Sequence, residues 1–178
     1  LTAFANIETV HIAAYSHLLD SVGLPESEYA TFLEYKEMVD KYDYYESFKM
    51  GSVRDLIKAI MVFSGFTEGM QLYSSFAILL NPSRTEGGNI LKGIAQIVSW
   101  SIRDETHQTN SMRKIGKRLI EENPHLWDDE LKEELRGIGR EMARQEFCFI
   151  DLVMAKGEPK GLTKADLKEY MKFLCDVR

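Results

Sequence analysis

The chain has 178 residues, 44% of them apolar and 28% charged, with a formal net charge of −6. That length suits one domain, over residues 1–178, with a sizeable core. The acidic balance argues against a general nucleic-acid or anionic-membrane binder, and no apolar run approaches the roughly 20 residues that span a bilayer. Cys148 and Cys175 have no metal-ligand spacing and read as buried free thiols of a reducing cytoplasm.

Leu1 begins inside a helical pattern without a cap, and Arg178 stops in mid-helix. The chain therefore reads as a domain truncated at both ends, part of a longer polypeptide. The first helix runs to about Val22, stopped by Gly23 with Pro25 beyond. It carries Glu8 and His11 three residues apart, and Tyr15 one further turn on. Such spacings put a carboxylate, an imidazole and a phenol on one stripe. Phe4, Ile7, Ala14 and Leu18 flank it, so the polar trio is expected to face a core, where it needs partners.

A second helix is expected from about Ser27 through Tyr29, Phe32, Tyr35 and Val39. Tyr42, Tyr44, Tyr45 and Phe48 follow and read as packing at an inter-helix corner. Ser52, with Asp55 three residues on, caps a long helix over 53–80 that ends at Asn81-Pro82. Its apolar residues lie nearly all round, which marks a central, buried element. Glu68 is the lone acid in its apolar length, flanked by Gly65 and Gly69. Glycines there are costly, which points to close approach or a local distortion of the helix.

The next helix is expected from about Asn89 to Glu122 and carries Asp104 and Glu105. Asp128 or Asp129 starts another, stopped by Gly157 and Pro159. Thr163, with Asp166 in the capping-box position, caps the last, over 167–177. No strand alternation is present. The fold class is all-α, a bundle of long antiparallel helices.

Three helices thus bring acids toward a bundle core: Glu8 with His11, Glu68, and Glu105. Buried unpaired charges are expensive, and a metal cation is the partner that such a set calls for. Bundles that hold two iron or manganese ions combine lone glutamates with Glu-x-x-His pairs on neighbouring helices. A fourth carboxylate is lacking; Glu141 and Glu146 lie on an acid-rich helix and read as solvated. His17, His125 and Trp127 read as a helix-face residue, a loop residue and a packing anchor.

The stretches Glu8-Thr-Val-His11-Ile-Ala-Ala-Tyr15, Phe66-Thr-Glu68-Gly-Met-Gln-Leu-Tyr-Ser-Ser-Phe76 and Trp100-Ser-Ile-Arg-Asp104-Glu105 resemble the radical-generating small subunit of class I ribonucleotide reductase. The resemblance extends through most of the chain, including Phe149-Ile-Asp-Leu. It implies a ferritin-like bundle holding two metal ions, iron and/or manganese, with Glu8, His11, Glu68 and Glu105 as ligands. It further implies that Tyr15 is the radical tyrosine and that Asp104 is the acid linking the site to its electron path. Leu72 and Phe76 would line the radical pocket. The partners implied are a large catalytic subunit, which makes deoxyribonucleotides, and a second copy of the chain.

The family's second motif reads Glu-x-x-His, whereas position 108 is Gln and His107 is displaced by one. Two residues along a helix is a rotation of about 200°, which turns His107 from the face of Glu105. Either local winding brings His107 in, or Gln108 offers a carbonyl oxygen and one metal position is altered. The family's first carboxylate ligand, its upstream tryptophan and its C-terminal docking tail have no counterpart in the chain. Two other readings stand beside this one: a related di-metal oxidase that needs no partner, and a metal-deficient, non-catalytic scaffold.

Overall fold

The computed structural model describes residues 2–23 and 25–177, apart from the side chains of Glu26, Tyr29, Phe32 and Val177. The expected ends at Leu1 and Arg178 and the contacts of Tyr29 and Phe32 lie outside the described residues. Within them the chain is helical, as the periodicity requires. Its elements are α1 (Thr2–Val22), α2 (Lys36–Glu46), α3 (Val53–Ile60), α4 (Leu72–Leu80), α5 (Lys92–Glu122), α6 (Asp129–Met154) and α7 (Lys164–Val177). Among the described residues, no helix is long and apolar enough to cross a membrane.

The caps lie where the sequence places them. Ser52 accepts a hydrogen bond from the Asp55 amide and Asp128 from the Leu131 amide. Thr163 and Asp166 bond each other's amides reciprocally, at 2.9 and 3.1 Å. Two starts differ from expectation. Residues Glu26–Glu34 form a 3₁₀ segment, so the second α-helix begins only at Lys36. Asn89 and Leu91 both take positive φ, which delays α5 to Lys92.

The expected helix over 53–80 is a rod in three parts, because α3 and α4 are joined by an 11-residue π-helix, Met61–Gln71. A π-helix widens the turn and shifts every later side chain around the axis. Gly65, Glu68 and Gly69 all lie in it. The helices beside it approach closely. A Cβ at Gly116 on α5 would stand 3.2 Å from Ile60, and one at Gly139 on α6 would stand 3.0 Å from the Phe66 ring.

Cross-helix contacts fix the directions. Ser64 pairs with Thr109 and Tyr73 with Thr106, so α5 runs antiparallel to the rod. Lys58 meets Glu134 and Gln71 meets the Met142 carbonyl, so α6 runs parallel to it. Helix α1 lies antiparallel to α5, its Tyr15 against Ser101 and its Glu8 against Gln108. The main core gathers Val62, Met70, Phe76, Val98, Met142, Ile150, Leu167 and Met171, drawn from the rod, α5, α6 and α7.

Some side chains differ from their sequence reading, while Glu141, Tyr44, Tyr45 and Trp127 keep theirs. Glu146 is fully buried rather than solvated: Lys41 pairs with it at 2.8 Å, and Ser74 donates to it. Glu141 is ion-paired with Arg144. Cys175 is exposed and Cys148 only partly covered. Tyr42 is exposed too, whereas Tyr44 and Tyr45 pack against the core with Phe48 and Phe63. Trp127 packs beside Ile57, Leu131 and Leu135.

Candidate metal centre

The site lies where α1, the π-helix and α5 meet. Helix α1 contributes no fully buried residue, so its polar stripe is covered by α5 rather than enclosed in a core. His11 nevertheless keeps only 12% of its side chain exposed, and Glu105 keeps 6%; Glu8, at 49%, stands at the rim.

The imidazole of His11 has a distinct neighbour on each nitrogen. Nδ1 stands 3.6 Å from a Glu8 oxygen and 3.3 Å from a Glu105 oxygen. Nε2 stands 3.4 Å from an oxygen of Asp104. One ligand atom from each of Glu8, His11 and Glu105 lies within 4.8 Å of the other two, a spacing that one cation can span. A histidine that binds a metal through one nitrogen commonly donates its other N–H to a carboxylate, and Asp104 occupies that position.

Glu68 lies outside this trio but shares its electrostatics. Burial, then the charge of Glu8, pushes its carboxyl up to about 7. Glu105 is likewise pushed up to about 7, by burial first and then by the charges of Glu8 and Glu68. Acids this close resist joint ionisation unless a cation joins them.

Positions 107 and 108 are about 100° apart on α5, one turned outward and the other inward. Gln108 is buried, and its amide nitrogen donates to Glu8 at 2.9 Å. His107 is exposed and lines an outer cleft with Asn110, Arg113 and Lys117. Two buried oxygens at the site lack any hydrogen-bond donor: Oε2 of Glu68 and Oε1 of Gln108. Orphaned acceptors beside acids of raised pKa are what a cation relieves. Carboxylate oxygens, one imidazole and one amide oxygen form a donor set that fits a first-row divalent ion.

Tyr15 lies one turn beyond His11, half-buried, with its hydroxyl 3.0 Å from the Ser101 Oγ. Burial first, and then the charge of Glu105, holds its phenol above the ordinary value against the lowering effect of Ser101. Its ring packs against the cluster that contains Val98 and Phe76, as does Leu72. Ser101 is a functional candidate that the motifs did not single out. Its position four residues before Glu105, on the same face of α5, was the available signal.

Fold and site together define a class: an all-α bundle whose helices present a carboxylate–histidine group suited to a metal cation. The chain belongs to the family described as ribonucleotide reductase, small chain, whose profile matches residues 1–178, and its bundle is that family's ferritin-like fold. It is 36% identical to a probable ribonucleoside-diphosphate reductase small subunit of Invertebrate iridescent virus 3, covering 100% of this chain and 51% of that protein. Its counterpart in Invertebrate iridescent virus 6 is 38% identical, over 98% of this chain and 58% of that protein. The beta subunit of a ribonucleoside-diphosphate reductase from Treponema pallidum is 27% identical, over 100% of this chain and 52% of that protein. The chain thus spans a little over half the length of these relatives.

Proposed function

We propose that this chain is the helical core of a ribonucleoside-diphosphate reductase small subunit, holding two metal ions and a radical tyrosine. The observation that supports this most is the meeting of Glu8 and His11 with Asp104 and Glu105, nearly a hundred residues away, in a member of this family. Glu8, His11, Glu68 and Glu105 would hold the ions, iron and/or manganese, with the amide oxygen of Gln108 completing one position. When bound, the ions supply oxygen activation and with it a one-electron oxidant.

The chain's own residues do the rest. Asp104 accepts the Nε2 proton of His11 and so keeps the lone pair of Nδ1 free for a cation. Val98, Leu72 and Phe76 keep water from the phenol of Tyr15, which gives up one electron and its proton. The oxidising equivalent then passes to a large catalytic subunit that makes deoxyribonucleotides. The small subunit works as a homodimer in the cytoplasm.

The test is metal content per chain, on protein with its native ends loaded with iron or manganese. Two ions per chain and a radical signal abolished by Tyr15→Phe are the expected result. One ion, rising to two in Gln108→His, would locate the defect at that position. Gln108 also favours a second reading, a metal-poor scaffold, and a chain that binds no metal would establish it in place of the first.

A further inference from the structure

We propose that Ser101 is a positioning residue for the Tyr15 radical: it accepts the phenol's hydrogen bond before oxidation and donates one to the phenoxyl oxygen afterwards. The inference rests on the radical role given to Tyr15 above. Ser101 is 3% exposed, and its Oγ stands 3.0 Å from the Tyr15 hydroxyl. Its own hydrogen is directed to the Ile97 carbonyl, at 3.3 Å. A serine hydroxyl has one hydrogen to give and two lone pairs to offer. With that hydrogen engaged, Ser101 is the acceptor and Tyr15 the donor.

Oxidation removes one electron and one proton from Tyr15: ions held by Glu8, His11, Glu68 and Glu105 would supply the one-electron oxidant, and a carboxylate of that set would take the proton. The Ser101 hydroxyl is too weak a base to keep the proton. The phenoxyl oxygen that remains is an acceptor only, and it faces a hydroxyl oxygen that is also presenting lone pairs. Rotation about the Cβ–Oγ bond of Ser101 removes the conflict. The hydroxyl hydrogen leaves the Ile97 carbonyl and points to the phenoxyl oxygen, with no heavy atom displaced and no atom transferred. Ile97 loses little, because in helix α5 its carbonyl also receives the backbone N–H four residues on. An apolar side chain at 101 would leave the phenol without this acceptor and the radical without this donor.

The experiment is electron–nuclear double resonance on the radical, in protein with native ends, metal-loaded and exchanged into deuterated water. One strongly coupled exchangeable deuteron is expected in the wild type, lost in Ser101→Ala and kept in Ser101→Thr. Metal content and melting temperature of both variants, compared with wild type, show that they fold. A Tyr15 radical whose coupling is absent, or survives in Ser101→Ala, overturns the inference alone. Absence of any Tyr15 radical overturns it together with the reading on which it rests.

Discussion

The two carboxyls whose titration is most displaced, Glu68 and Glu105, carry a pH signature of their own. Their folded-state values of about 7 lie above the ordinary 4.5. A raised acid holds its proton in the folded state, so its stabilising contribution is complete below the ordinary value and is lost as pH rises through the folded one. Metal-free protein should therefore unfold at lower urea concentration at about pH 8 than at about pH 5. Loading with metal, or the double change Glu68→Gln with Glu105→Gln, should flatten that slope; an equal midpoint at both pH values in the wild type would rule out the coupling. Residues 107 and 108 show how far sequence geometry reaches at this scale. A step of about 100° per residue turns position 107 outward and brings 108 onto the face of Glu105, and the two side chains stand on those faces. Glu146 shows where it stops. An acid on an acid-rich helix carries no local mark of burial, and the lysine that neutralises it lies 105 positions away.

Among the elements, the π-helix Met61–Gln71 decides how Glu68 meets its neighbours. Gly65 and Gly69 advertised a distortion, but neither specifies its type or its 11-residue length. Those depend on the fit against α5 and α6, where Gly116 and Gly139 let the rod come close. The turn between the rod and α5 sets the antiparallel register that puts Glu68 opposite Glu105. A Cβ on Gly87 would fall 1.8 Å from the Asn81 carbonyl oxygen, and backbone cannot move aside as a side chain can. Gly87→Ala should cost about 2–3 kcal/mol, seen as a lower urea midpoint with an unchanged slope. Gly93→Ala, in α5 with nothing within 4 Å of the new carbon, is the control and should be neutral or slightly stabilising. Equal midpoints for the two variants would show that the turn is free to rearrange. The 3₁₀ segment Glu26–Glu34 marks a limit of another kind. Its residues have fair helical spacing, yet a short segment takes its final form from what it packs against.

For the whole molecule, the second buried polar centre is structural. Lys41 on α2, Ser74 on α4 and Glu146 on α6 tie three helices through one carboxylate that is 0% exposed. Burial raises the Glu146 carboxyl, while Lys41 and Ser74 pull it back. Removing the lysine leaves a buried acid to be protonated or solvated, and Lys41→Met should destabilise the bundle by about 3–5 kcal/mol near neutral pH. The loss should shrink toward acid pH, where Glu146 is neutral, and Glu146→Gln in the same background should recover much of it. A pH-independent loss that Glu146→Gln does not relieve would assign the effect to packing of the lysine stem instead.

The sequence by itself determined that the chain is helical, the caps at Ser52, Asp128 and Thr163, and the alignment of Glu8, His11 and Tyr15 on one stripe. Each of these depends on residues within about four positions of one another, the range over which a helix brings side chains together. Only the tertiary structure decided that Asp104 faces one nitrogen of His11 and Glu105 the other, that Ser101 meets Tyr15, and that Glu146 is buried on Lys41. Those outcomes depend on helix register and direction, which arise from packing whole elements against each other and leave no mark in any short stretch of chain.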